Sequence, residues 1–121
     1  MQHAARAYKA VANEIVSSRE LEANLLLRAA ARLQAIRDAW DRYSGDLAEA
    51  LLFNRKLWTI ILTSVTRADN PLPIEIRRNV ASLGIFVLKS TIRLTSNPQP
   101  EPLATLININ RRLASGLQSK P

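Results

Sequence analysis

Apolar residues recur along this chain at spacings of three and four, the period of a helix face. Nowhere do they alternate at the period of two that a half-buried strand needs, and no Asn-Gly or Asp-Gly hairpin signal is present. The pattern predicts five helices and no strand. An alanine-rich first helix runs from about Ala4 to Val16. Ser17 and Ser18 then offer an N-cap, and Glu20 and Glu22 place acids in the first turn of a second helix. That helix runs to about Tyr43, with Leu21, Leu25, Ala29, Leu33, Ile36 and Trp40 as its repeating apolar positions. Ser44-Gly45-Asp46 stops it and caps a third helix over Leu47–Ala68. Asp69-Asn70-Pro71-Leu72-Pro73 is a hard stop, because each proline disfavours helix at the residue before it. Pro73 can open the fourth helix, since the first helical position has no use for an N–H, and this helix continues to about Ser96. Asn97-Pro98-Gln99-Pro100-Glu101-Pro102 reads as a stiff extended connector. Leu103–Leu117 is a short fifth helix with Gly116 near its end. The expected fold is all-α, a single-domain bundle of about five helices over residues 1–121.

Projected at about 100° per residue, the third helix carries two apolar stripes. Leu47, Leu51, Trp58, Leu62 and Val65 form one; Phe53, Leu57 and Ile60 form a second, with Ala50 and Ile61 between them. Arg55 sits at the border, where its stem can lie on apolar surface while its head reaches water. Asn54 points from the middle of the apolar arc. Glu22 on the second helix and Asn110 on the fifth intrude in the same way. An unpaired buried amide costs about 1–3 kcal/mol, so each must find a partner. They either form a buried polar network or read the backbone of a docked peptide or helix. Asn110 has a loop carbonyl as one candidate partner, and Glu22 has Arg55 or Arg77.

The fourth helix is also double-striped. Ile76, Val80, Leu83, Val87 and Leu94 make its expected core stripe; Ile74, Ala81, Ile85, Leu88 and Ile92 make a second, with Arg78, Ser82, Lys89 and Arg93 over most of the rest. Two such helices in a small domain are either both central or leave apolar surface for a partner. The candidate partner-binding residues are therefore Phe53, Asn54, Arg55, Leu57, Trp58, Ile60, Ile85, Leu88, Ile92 and Asn110.

Composition narrows the chemistry. The chain has 121 residues, 47% apolar and 22% charged, which suits one globular domain with a modest core. It has no Cys and one His, so thiolate metal sites and histidine-based catalysis lack their residues. Glu22, Asp38 and Asp69 show no pairing with a nucleophile or base, so no enzyme, cofactor or metal is expected. No apolar run approaches the roughly 18 residues that span a bilayer. The opening MQHAARAYKAVANE lacks a signal-peptide core. The expectation is a cytoplasmic protein without membrane insertion. Net charge is +7, and the second half is the more basic, which permits nucleic acid or an acidic partner as well as a plain solvated surface. Trp40, Tyr43, Trp58 and Phe86 fall at core-compatible positions rather than among exposed arginines, and the pairs Arg77-Arg78 and Arg111-Arg112 are too short to specify nucleic acid.

Six segments together resemble one family, the FlaF flagellar biosynthesis proteins. They are AYKAV near the start, RELEANLLLRAAARL at 19–33, NRKLWTI at 54–60, DNPLP at 69–73, RRNVASLGIFV at 77–87 and LININRRLASGL at 106–117. The resemblance implies a small cytoplasmic protein needed for flagellin production and filament assembly, linked to flagellin as a positive factor for its synthesis or as a secretion chaperone. It implies flagellin as partner, with the regulator FlbT or the flagellar export machinery as further ones. No catalytic motif comes with it. The expected function is thus a flagellin-binding helper; the alternative is a post-transcriptional regulator that binds flagellin mRNA through its Arg clusters.

Overall fold

The computed structural model describes residues 2–119, and the side chains of all of these except 2 and 11–17. The described residues are helical throughout apart from their turns and the proline-rich connectors. α1 (Gln2–Asp38) is followed by a single turn, α2 (Trp40–Tyr43), and a 3-10 turn at Ser44–Asp46. α3 (Leu47–Thr66), α4 (Ile74–Ser96) and α5 (Leu103–Gln118) complete the bundle. The count of five holds, but the partition differs from the expected one at two places.

The first difference is at Ser17-Ser18, where α1 runs on unbroken. The Ser17 side chain lies outside the described residues, and Ser18 is an ordinary exposed helical position. Serine favours a cap but does not forbid a helix interior, and neither glycine nor proline is near enough to end it. The second difference is at the far end. The helix breaks at Ala39 (φ −129°, ψ 54°), not at Ser44–Asp46, where the backbone tightens into the 3-10 turn and leads directly into α3. Asp46 makes no side-chain cap bond, and no described residue has a positive φ, so Gly45 does not act as a left-handed stop.

α1 packs chiefly on α5, α3 on α4, and α1 on α3. The α1 core face is Ala23, Leu26, Ala29, Ala30, Leu33 and Ile36, with Leu21 exposed. The reason is geometric: a run spaced strictly by four drifts about 40° per step, so Leu21 cannot share a face with Leu33. α3 packs between α1 and α4 and buries Leu47, Ala50, Leu51, Leu57, Trp58, Ile61 and Val65. α5 contributes Leu103, Leu106, Ile107 and Ala114.

The α3–α4 corner is made by the Asp69–Pro73 segment, as expected. Asn70 donates its amide to the Ser64 carbonyl (3.0 Å) and accepts from the Leu72 N–H (2.9 Å), holding the turn that the two prolines begin. Arg77 reaches back from α4 and donates to the carbonyls of Val65 (2.9 Å) and Arg67 (2.7 Å). A guanidinium thus satisfies the Val65 carbonyl that the end of α3 leaves open, and gives a second donor to the Arg67 carbonyl of the turn, which also accepts from the Asn70 N–H. Pro73 stands just outside α4 in an extended conformation rather than as its first residue. Further along the pair, a Cβ built on Gly84 would lie 2.6 Å from Leu62 Cγ, so the glycine is the point of closest approach between α3 and α4.

Candidate functional site

The polar intruders form one network in the middle of the bundle. The Trp58 indole N–H donates to Asn110 Oδ1 at 2.9 Å. That bond fixes the orientation of the Asn110 amide, because indole nitrogen only donates. Asn110 Nδ2 then donates to Asn54 Oδ1 at 2.7 Å and to the Leu26 carbonyl at 3.3 Å. α1, α3 and α5 are all tied into this chain. Asn54 and Asn110 have no solvent exposure, and Asn54 Nδ2 is left without a hydrogen-bond partner. Asn110 takes a helix carbonyl, not the loop carbonyl expected.

Glu22 stands apart from this network. It is half-buried at the edge of a hollow also lined by Arg19, Leu72, Val80, Leu113 and Leu117. Burial pushes its carboxyl up from the ordinary value, with the Arg19 charge pulling the other way. Neither expected partner meets it: Arg55 is exposed, and Arg77 is engaged at the end of α3. Asp69 is the opposite case. Fully exposed, it accepts a two-pronged contact from Arg67 at 3.1 Å, which holds its carboxyl below the ordinary range.

The structure sorts the ten candidate residues into three groups. Asn54, Leu57, Trp58 and Asn110 are buried and serve the core. Phe53 and Leu88 are half-buried against it, with the Arg32 guanidinium 5.8 Å above the Phe53 ring. Arg55, Ile60, Ile85 and Ile92 are exposed. The second stripe of α3 is therefore mostly closed, with Ile60 its one open position. That of α4 is open at Ile74, Ile85 and Ile92, the last 66% exposed, while Ala81 and Leu88 are half-buried against the core.

The expected core stripe of α4 needs correction. Its seam against α3 is Val80, Gly84, Val87, Thr91 and Leu94, while Ile76 and Leu83 are exposed. The seam is narrow because α4 has one close neighbour, α3, and meets α5 only marginally. Thr91 is tolerated there because its hydroxyl donates to the Val87 carbonyl at 2.7 Å. Phe86 and Tyr43 are likewise exposed rather than core, and Arg42 lies 6.0 Å from the Tyr43 ring centre.

The result is a helix with apolar surface on both flanks. By their spacing Ile74, Ile85 and Ile92 open on one side and Ile76, Leu83 and Phe86 on the other; Ile76 and Phe86 line hollows shared with α5, and Ile92 also reaches the one that Phe86 lines. The second flank is the part sequence reasoning missed. The i, i+7 pair Ile76 and Leu83 stands about 40–60° off the Val80–Val87 line, and Gly84, a small residue inside a helix, marks where the seam runs instead. At one end of the α4–α5 junction, Ile76, Val80, Leu113 and Leu117 line an open hollow of about 380 Å³. At the other end, Phe86, Ser90, Arg93, Leu94, Pro102 and Thr105 line a cleft of about 680 Å³.

Among the described residues, no cluster of His, Cys, Asp or Glu is placed to hold a metal ion, and no helix is long and apolar enough to cross a membrane. One family model, described as flagellar protein FlaF, matches residues 4–117. No curated protein and no solved structure matches the chain.

Proposed function

The chain belongs to the FlaF family of flagellar proteins, and on that premise we propose that it is a non-enzymatic, cytoplasmic helper that binds flagellin and promotes its production and secretion during flagellum assembly. The observation that carries this reading is the apolar surface of α4, where Ile74, Ile76, Leu83, Ile85, Phe86 and Ile92 are all exposed on one helix. They stand in two groups, one on each flank of the helix, and a grouped exposed apolar patch on a small protein marks an interaction site. An amphipathic client segment laid against a helical surface is a recurrent solution. Flagellin termini are amphipathic and lack their filament partners before export, so they have the matching need. FlbT and the export machinery are the natural further partners of such a complex.

The alternative, binding to flagellin mRNA, draws on a different observation. Arg111 and Arg112 are both exposed on α5, and no acidic residue lies on that helix. Salt separates the two. Binding to RNA weakens steeply as counterions compete, whereas apolar contact does not. The direct test is co-purification of the chain with unassembled flagellin, with and without nuclease. Retention of flagellin after nuclease treatment and at raised salt is the expected result. Loss of flagellin on nuclease treatment would replace this reading with the RNA one.

A further inference from the structure

We infer that the groove between α4 and α5 is the seat of the partner, and that it takes an amphipathic helix whose apolar stripe is flanked by acidic side chains. This rests on the partner-binding reading above and adds the place and the chemistry of the contact.

The groove follows from how the bundle is paired. α4 leans on α3 and α5 leans on α1, which leaves α4 and α5 side by side without close packing. They run antiparallel: Val80 shares a hollow with Leu113 and Leu117, whereas Ser90 and Leu94 share one with Pro102 and Thr105. Between the two hollows, helical spacing places the exposed Leu83 of α4 and the half-buried Ile109 of α5 on the sides that face the junction. Ile76 and Leu94, one in each hollow, stand about 27 Å apart along α4, the length of a helix of about 18 residues.

Charge selects the occupant. Of the four cations of α4, Arg77 is held at the end of α3 and Arg78 and Lys89 fall by their spacing on the opposite flank, which leaves Arg93; α5 contains Arg111 and Arg112 and no acid. Arg93 lines the groove itself. On α5, Thr105 and Gly116 line opposite ends, and Arg112 falls on the same helical face, seven residues from one and four from the other. Of the nearby acids, Glu22 sits at the far end beside Arg19 and is shifted toward its neutral form by burial, while the exposed Glu75 and Glu101 adjoin the two ends but line neither hollow. An apolar floor with one arginine on each wall, Arg93 on α4 and Arg112 on α5, favours a helix with acidic flanks and disfavours one with basic flanks. The same walls argue against a second copy of this chain, which would set like charges face to face. They also argue against the chain's own exposed segment 3–10, which carries Arg6 and Lys9 and no acid.

The test uses the whole chain and two synthetic helices of about 18 residues, identical in their leucine stripe, one flanked by glutamates and the other by lysines. Binding is read by fluorescence anisotropy. The glutamate helix is expected to bind about tenfold or more tighter than the lysine helix. The double reversal Arg93→Glu with Arg112→Glu should reverse that order, and Phe86→Ser should weaken both helices while thermal melts show an intact fold. Equal binding of the two helices, no binding of either, or no response to the reversal overturns the inference. So does stronger binding of anionic lipid vesicles or single-stranded RNA than of the glutamate helix. Unassembled flagellin, run in parallel, keeps the two readings apart. Flagellin held equally by the wild type and the double-reversal variant overturns the groove as the client's seat and leaves the helper function standing. Flagellin ignored by a protein that still binds the glutamate helix supports the groove and removes flagellin as its client.

Discussion

The indole N–H of Trp58 donates to Asn110 Oδ1 at 2.9 Å, and this bond sets the hierarchy of the buried network. Asn110 makes three bonds, to Trp58, Asn54 and Leu26, whereas Asn54 accepts one and leaves its own amide nitrogen unpaired. Asn110→Leu strands the indole N–H and the Asn54 carbonyl oxygen. Asn54→Leu removes an orphan and leaves Asn110 with two bonds. At about 1–3 kcal/mol per stranded buried group, Asn110→Leu should be the more destabilising by at least about 1 kcal/mol in urea unfolding. Equal losses would mean that the network is not organised around Asn110.

Gly84 and Leu62 set the spacing of the second helix pair. Gly84→Ala gains up to about 1 kcal/mol of helix propensity, yet the new methyl group meets Leu62 Cγ at 2.6 Å. Overpacking of this kind costs about 1–3 kcal/mol, so a net loss of stability is expected. In a Leu62→Ala background the same change should become neutral or stabilising. A double-mutant cycle with no coupling would place the close contact elsewhere.

Arg77 is worth more to the fold than its neighbour Arg78. Arg77 closes the end of α3 through two carbonyls, while Arg78 is exposed. Arg77→Met should cost about 1–2 kcal/mol, and Arg78→Met should stay within about 0.5 kcal/mol. Thermal melts of the two variants decide it.

Glu22 gives the stability a pH signature. Its carboxyl is shifted up in the folded chain, so the folded state favours the protonated form. The associated stability is present at pH below the ordinary carboxyl range and is lost as pH rises through the shifted value. Glu22→Gln should therefore raise the denaturation midpoint at neutral pH, and the gap should close on acidification. A gap that widens in acid would contradict the burial of this group.

Leu57 and Ile92 belong to the apolar stripes that the sequence treats alike, and the structure separates them. Leu57→Asp places an unpaired charge in the core and should unfold the chain. Ile92→Asp, at an exposed position, should leave the melting temperature nearly unchanged. Circular dichroism of both variants checks this directly.

These contrasts show what was legible from residues alone. The prolines at 71 and 73 and in the connector at 97–102 mark where a helix cannot run on, so the α3–α4 and α4–α5 boundaries are readable to within two residues, although the end of that connector turns into α5, with Pro102 helical, rather than staying extended. Asn54 and Asn110 were identifiable as buried because each sits inside an apolar arc. Their direct bond was not, since it joins residues 56 apart in the chain. The double stripe of α4 was visible, but not which stripe meets α3. That choice depends on where the backbones come closest, and the side chain that decides it, Gly84, is the one with no hydropathy to read. The continuity of α1 was missed for a related reason: a cap signal states that a helix can begin, not that the preceding one must end.

Residues 3–10 of α1 are exposed on every face, with Tyr8 80% accessible, although they belong to the same helix as the packed stretch from Ala23 to Ile36. A segment of that length cannot nucleate a helix by itself in water, but one continuous with a packed helix is spared the nucleation step and only extends it. Its order is therefore borrowed, turn by turn, from the bundle. Amide hydrogens in this stretch should exchange progressively faster toward the N-terminus. Any variant that loosens the α1–α5 contact should steepen that gradient before it lowers the melting temperature.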